Sequence, residues 1–303
     1  MAIAEFEGKT IVVTGASDGI GRAAVTAFVD GGANVVMIGR NEAKTAAAAG
    51  AIMSQTGRRS VTWDIADLSR MDAVVDLAGR LRARLPRIDV LVNNAGACFM
   101  DRQLTVDGLE RTFALNHLQY VVLTLSLLEP LAASAREHQG RPARVICVSS
   151  RAHWDARLDL DDLQLSRRFG GWRAYANSKL CNVLFVQALA RRVAADKLVV
   201  HAMHPGLVAT RFAANNGRMG RMLRRVMDLR SISPAAGADT ITWLAVSEAA
   251  GVSTGQYWLK RTNIAPSAAA RNVALAEELW TASVALTALT PRTLIEAAGL
   301  GPT

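Results

Sequence analysis

The sequence predicts an α/β fold: a doubly wound parallel sheet of about seven strands with helices on both faces, one domain spanning residues 1–303. Three observations carry this expectation. Short β-branched runs alternate with long amphipathic stretches from end to end. Several of the runs are apolar on both sides of the strand alternation, as in strands buried on both faces of a parallel sheet. A glycine-rich turn closes the first run and opens a helical pattern. Alternation sustained this long implies right-handed crossovers.

The strands are expected at 10–14, 34–38, 60–63, 88–92, 144–148, 198–203 and 255–259. Between and after them, residues 20–31, 41–56, 69–85, 108–137, 173–195, 234–247 and 269–288 are rich in Ala, Leu and Arg at helical spacing. No linker, repeat or low-complexity block divides the chain.

Composition narrows the class. Half the residues are apolar and a fifth are charged, which excludes general disorder. The 35 Lys+Arg against 26 Asp+Glu leave a formal charge of +9, which raises the question of a nucleic-acid or membrane partner. Residues 211–230 answer much of it, because six arginines and one aspartate there carry +5 of that charge. Met219, Met222, Leu223, Val226 and Met227 are interspersed among them, giving one apolar and one basic face at helical spacing. The readings are a lid over an apolar substrate at about 207–233, a peripheral membrane contact through 211–230, or a plain surface helix. Nucleic acid is not expected. Cys98, Cys147 and Cys181 lack CxxC spacing and read as buried free thiols of a reducing compartment. The N-terminal residues carry Glu5, Glu7 and Lys9 before any apolar stretch, and the longest uncharged run, 112–128, is shorter than a membrane span. A cytoplasmic chain without a transmembrane segment is expected.

The first turn reads Thr14-Gly15-Ala16-Ser17-Asp18-Gly19-Ile20-Gly21. Glycines there let the backbone turn tightly and present amide hydrogens to a pyrophosphate at a helix N-terminus. Tight βα turns favour glycine for steric reasons too. Its place after the first strand favours a dinucleotide site. The second strand ends Ile38-Gly39-Arg40, so glycine stands where NAD-binding domains usually put an acid on the ribose 2′-hydroxyl. A missing acid followed by Arg40 favours NADP(H) over NAD(H). A solvated loop arginine is the bland alternative.

Tyr175 and Lys179 stand four residues apart at the start of a helical pattern and so share a face. A neighbouring ammonium stabilises a phenolate, and lowers a tyrosine pKa from about 10 towards the range of useful acid/base chemistry. Around this pair stand Asn93-Asn94-Ala95-Gly96 after the fourth strand, Asn116 in the next helical segment, Ser149-Ser150 after the fifth strand and His204-Pro205-Gly206 after the sixth. These positions fall at C-terminal strand ends or just beyond, where open α/β sheets bind ligands.

With those elements in order, the sequence resembles the short-chain dehydrogenase/reductase family, a Rossmann-type fold, over nearly the whole chain. The stretches Val148–His153, Tyr175–Leu180, Asn116-His117-Leu118 and Gly255–Trp258 resemble its retinol dehydrogenase and WW-domain oxidoreductase branch. The resemblance implies Tyr175 as acid/base, Lys179 on the nicotinamide ribose, Ser150 on the substrate oxygen with Ser149 structural, and Asn116 holding a water of a proton relay. It implies cofactor contacts at Gly15, Ser17, Asp18, Gly19, Ile20, Gly21, Arg40, Asp67 (on adenine), Leu68, Asn94, Ala95, Gly96, Pro205, Gly206, Val208 and Thr210. The implied reaction is hydride transfer between NADP(H) and an apolar alcohol, aldehyde or ketone of retinoid, steroid or lipid type. A homodimer or tetramer is compatible with it.

Two other functions stand beside this one. A non-catalytic NADP-binding sensor or scaffold would use the same fold. An epimerase would use the same Tyr/Lys pair with a different glycine turn. His117, His153, His201 and His204 lack ligand spacing with Cys or acids, so no metal is expected and they read as loop histidines or histidines behind the site. The tryptophans read as core and pocket packing.

Overall fold

The computed structural model describes residues 5–138, 140–206, 232–287 and 289–301. Eight strands form one sheet, ordered β3-β2-β1-β4-β5-β6-β7-β8. They are β1 (Thr10–Thr14), β2 (Asn34–Gly39), β3 (Val61–Ile65), β4 (Val90–Asn93), β5 (Ala143–Val148), β6 (Leu198–Met203), β7 (Tyr257–Leu259) and β8 (Thr262–Asn263). All neighbours pair in parallel except β7 and β8. The central strands β1, β4, β5 and β6 are buried almost throughout, which is why their sequences run apolar without alternating.

The eighth strand departs from the expected seven. Lys260 and Arg261 form a two-residue turn with φ of 48° and 62°, the left-handed pair that closes a tight hairpin. Neither residue is a glycine or asparagine, so nothing in the residues announced a turn. Arg261 is anchored there by Asp239, its Nε donating to a carboxylate oxygen at 2.8 Å.

The helices are α1 (Gly19–Asp30), α2 (Glu42–Thr56), α3 (Met71–Arg84), α4 (Arg111–Phe113), α5 (Gln119–Ser126), α6 (Leu128–Glu137), α7 (Gly171–Ala190), α8 (Pro234–Val246), α9 (Glu248–Gly251), α10 (Val273–Thr287) and α11 (Pro291–Ala297). Their starts are encoded locally. The Asn41 side chain accepts the Lys44 N–H to cap α2, and Ser233 caps α8 ahead of Pro234. Two apolar layers cover the sheet. One includes Val25, Phe28, Ile52 and Ile241 from α1, α2 and α8; the other includes Leu77, Leu123, Leu184 and Leu279 from α3, α5, α7 and α10.

The single helix expected over 108–137 is broken. A π-turn over Ala114–Leu118 separates α4 from α5, with Gln119 N–H bonded to Ala114 O five residues back. The Arg111–Ser126 and Leu128–Glu137 parts then bend by 53°. Pro130 lacks the N–H that a continuous helix would need there, and is tolerated because it falls in the first turn of α6.

The chain leaves β3 at one edge and re-enters at β4 beside β1, so the order reverses between β1 and β4. That reversal is where open α/β sheets hold ligands. Among the described residues no single helix is long and apolar enough to cross a membrane. Cys98, Cys147 and Cys181 are free and buried. The expected lid and basic segment, with Val208 and Thr210, lie outside the described residues, apart from Ile232 and Ser233.

Candidate active site

At the sheet reversal the first turn is built against the Asn93–Gly96 segment. The Thr14 hydroxyl accepts the N–H groups of Asn94 (2.9 Å) and Ala95 (3.0 Å), while the Asn94 amide donates to the carbonyls of Thr14 (2.8 Å) and Gly15 (3.2 Å). Gly15 has φ +64°, and a Cβ there would lie 2.8 Å from the Ala95 Cα, so only glycine fits. Asp18 caps α1, accepting the Gly19 N–H at 2.8 Å, and its other oxygen meets Lys44 Nζ at 2.8 Å. The N–H groups of Ile20 and Gly21 meet no acceptor among the described residues. Open first-turn amides beside Ser17 are what a pyrophosphate requires.

The end of β2 is equally specific. A Cβ on Gly39 would lie 2.0 Å from Thr45 Oγ1 and 3.1 Å from Thr45 Cβ, so α2 leaves no room for a carboxylate side chain. Arg40 is exposed beside it. Asp67 follows β3, one oxygen accepting from the Ser69 N–H (3.1 Å) and hydroxyl (2.8 Å), with Leu68 buried next to it. Gly206 continues from Pro205 after β6, its N–H donating to His204 Nδ1 at 3.0 Å.

Tyr175, Ser150, Lys179 and Asn116 come together beyond β4 and β5. Tyr175 lies in the first turns of α7, and the Ser150 side chain is near enough to its phenol to favour the ionised form. Its ring keeps some exposed surface, but protein surrounds the hydroxyl end, and that burial pushes the phenol up to about 12 against the lowering effect of Ser150. The expected depression of this group by Lys179 is therefore absent in the protein alone. Burial wins. Lys179, only 4 % exposed, donates from Nζ to Val148 O at 3.0 Å, and burial brings its ammonium down to about 8. Tyr120 shares the same carbonyl at 3.4 Å. Ser149 is turned away, its hydroxyl donating to Lys179 O at 2.7 Å.

Asn116 sits inside the π-turn and faces Ala97 squarely. Its Oδ1 accepts the Ala97 N–H and its Nδ2 donates to Ala97 O, both at 2.9 Å, and Nδ2 donates again to Ser178 Oγ at 3.0 Å. Gly96 lies between this amide and the lysine: a Cβ there would be 3.1 Å from Asn116 Oδ1 and 3.4 Å from Lys179 Nζ. The widened turn lets a polar side chain lie in the core while its neighbours stay helical.

A sequence model of the family described as short chain dehydrogenase matches residues 9–220. The chain belongs to the short-chain dehydrogenase/reductase family. Within it, human retinol dehydrogenase 13 is 34 % identical over 292 residues, covering 94 % of this chain and 86 % of the relative. A protein of Streptomyces sp. (strain C5), provisionally named a daunorubicin C-13 ketoreductase, is 37 % identical over 291 residues and 94 % of each chain. Among solved structures, the Pseudomonas aeruginosa RhlG/NADP active-site complex superposes with a TM-score of 0.67 at 26 % identity, covering 85 % of this chain and 96 % of that one. The protein is thus a short-chain dehydrogenase/reductase of the retinol dehydrogenase-like branch, an NAD(P)-dependent oxidoreductase acting on CH–OH groups. The open amides of α1 and the exposed Gly96 fit such a cofactor.

The histidines differ from expectation. His117 is in the π-turn and His201 in β6, both 1 % exposed, so they are core groups rather than loop groups. His117 Nε2 meets Ser283 Oγ at 2.8 Å and His201 Nε2 meets Ala250 O at 2.8 Å, and burial takes both rings down to about 4. Among the described residues no three His, Cys, Asp or Glu groups gather to hold a metal ion. Sequence reasoning missed Thr14, Lys44, Tyr120 and Ser178, whose neighbours are remote in the chain. The polar pair Asn116-His117 inside an otherwise apolar run was the one available sign of the π-turn.

Proposed function

We propose that the protein transfers a hydride between NADP(H) and an apolar alcohol, aldehyde or ketone, with Tyr175 as the acid/base. The observation that supports this best is the buried Lys179, whose Nζ lies 5.7 Å from the centre of the Tyr175 ring. When bound, the nicotinamide supplies or accepts the hydride. Ser150 Oγ accepts the Ala152 N–H at 3.2 Å, which orients its hydroxyl and leaves it able to share the substrate oxygen with Tyr175. A phenol raised by burial is protonated at neutral pH, the state that gives a proton to a carbonyl oxygen in the reductive direction. In this reading Lys179 holds the nicotinamide ribose, and its ammonium, together with the bound cofactor, steadies the phenolate when it forms. Both Asn116 amide hydrogens are committed, so its share in a proton relay runs through Oδ1 or its main-chain carbonyl.

Near this centre three large apolar side chains reach the surface. The Trp172 ring lies 5.7 Å from Tyr175 and the Trp154 ring 5.7 Å from Tyr257, and both tryptophans are about half exposed, as is Met100 beside Gly171. Relatives named for a retinol and for a ketone accord with a substrate of retinoid, steroid or other lipid-like kind. Tyr175→Phe is expected to lower kcat by about 10²–10⁴-fold with NADPH affinity within about twofold. Undiminished carbonyl reduction by that variant rules the mechanism out.

Preference for NADP rests on the closed space at Gly39 and the exposed cation at Arg40. Arg40→Asp is expected to lower the ratio of kcat/KM for NADPH over NADH by about 10-fold or more, the worth of one charge-assisted contact. An unchanged ratio makes Arg40 a bystander.

A further inference from the structure

We propose that His153 is a positioning residue, a neutral imidazole that holds the Ser150 main chain and so aims the Ser150 hydroxyl at Tyr175. This rests on the roles given above to Ser150 and Tyr175. His153 lies in the 3₁₀ turn Arg151–Asp155 and is 1 % exposed. The Ser150 carbonyl accepts from it twice, from the main-chain N–H at 3.2 Å and from the ring at Nδ1, 2.8 Å away. The Ala152 N–H meanwhile holds Ser150 Oγ. Carbonyl and hydroxyl of one residue are thus fixed by Ala152 and His153.

The tautomer follows from the partners. A main-chain N–H can only donate, and the Ser267 N–H meets His153 Nε2 at 3.1 Å. That nitrogen therefore accepts, and the single ring hydrogen sits on Nδ1, facing Ser150 O. A second proton would set two N–H groups against each other inside the protein. The same Nδ1 lies 3.4 Å from the Tyr257 hydroxyl, a weaker contact. The ring cannot rotate away, since Trp154 packs on it at 3.8 Å and Tyr257 at 4.8 Å. Burial lowers the imidazole pKa in the same sense, outweighing the Ser150 carbonyl, and the neighbouring His204 brings no negative charge. So the histidine works as a fixed donor on a strut running from Ser267 and Tyr257 to Ser150, not as a titrating group.

The test is a set of three substitutions. Asn places its amide N–H where Nδ1–H stands and Gln places its amide where Nε2 stands, so only Asn restores the donor to Ser150. His153→Ala is expected to lower kcat by about 10–100-fold, the scale of a small misplacement of a reacting group, with carbonyl KM and NADPH Kd within about twofold. Its kcat–pH limb for Tyr175 should move up, because a displaced Ser150 no longer lowers that phenol. His153→Asn should recover kcat and the limb, and His153→Gln should not. Rescue by Gln equal to or better than Asn means the ring only fills space, and overturns the proposal. So does wild-type kcat and an unmoved limb in His153→Ala. If Tyr175→Phe keeps full turnover, the underlying reading fails instead, whatever the histidine variants do. The Asn and Gln variants keep a polar side chain at the buried position, so the comparison stands even if alanine does not fold.

Discussion

The two halves of the site are held by different means. On the side of β1 and β2, shape is set by the main chain: Gly15 with its positive φ, the Thr14 hydroxyl bridging two amides, and the amides left open at the start of α1. On the side of β5 and β7, shape is set by side chains bonded to side chains or to distant main-chain groups, as with Lys179, His153 and Tyr257. The first half is built mainly of groups that do not titrate; the second holds several buried ionisable side chains whose proton affinities burial has moved. A nucleotide needs a fixed cradle, which glycines and amides supply with little sensitivity to pH. A proton transfer needs groups whose charge changes, and burial is what sets their readiness.

Substitutions can break that contrast. The largest effect is expected at Gly15→Ala, where both the positive φ and the contact with Ala95 Cα are main-chain features that cannot yield. A loss of about 2–4 kcal/mol in stability is expected, read from the denaturant midpoint, together with loss of NADPH binding. If NADPH affinity survives intact, the cradle is not a main-chain device.

Lys179→Met probes the other half. The folded pKa of Lys179 is depressed to about 8 from 10.5, so keeping it charged costs stability in full below about pH 8. That cost fades as pH rises from about 8 towards 10.5, because the unfolded chain still binds the proton and the folded one does not. The methionine variant should therefore be more stable than the parent at pH 7, by on the order of 2–3 kcal/mol, with the gap shrinking by pH 9.5. Parallel stability–pH curves for the two proteins would deny the lysine its burial cost. Activity should nonetheless collapse, which separates stability from function on this side.

The smallest effect is expected at Lys44→Met. Its ion pair with Asp18 is 45 % and 44 % exposed at the two side chains. Such a pair is worth less than about 1 kcal/mol and weakens with salt. A larger loss in low-salt unfolding would mean that side-chain charge also shapes the cradle, blurring the contrast.

The same contrast explains what could be read from the chain. The bounds of β1 and β6 at 10–14 and 198–203 were legible, because strands buried on both faces leave an unbroken apolar signature. So was the glycine turn, since its constraints act within eight residues. The break in 108–137 was not, because a π-turn depends on Asn116 finding Ala97 and Ser178, partners 19 and 62 residues away. The hairpin at Lys260–Arg261 was hidden by residues that take left-handed angles only because tertiary contacts hold them there. The Ser150–Tyr175–Lys179 grouping was legible as motifs. Its tie to Ser267, 114 residues beyond His153, was not.

The crowding at Gly39 also bears on the protein's history. An acidic side chain there would collide with Thr45, so a carboxylate cannot enter position 39 by a single replacement. The order of events matters: Thr45 must first become smaller, or α2 must shift, before a carboxylate at position 39 can be tried. Thr45 thus limits what position 39 can become, whichever dinucleotide the protein prefers.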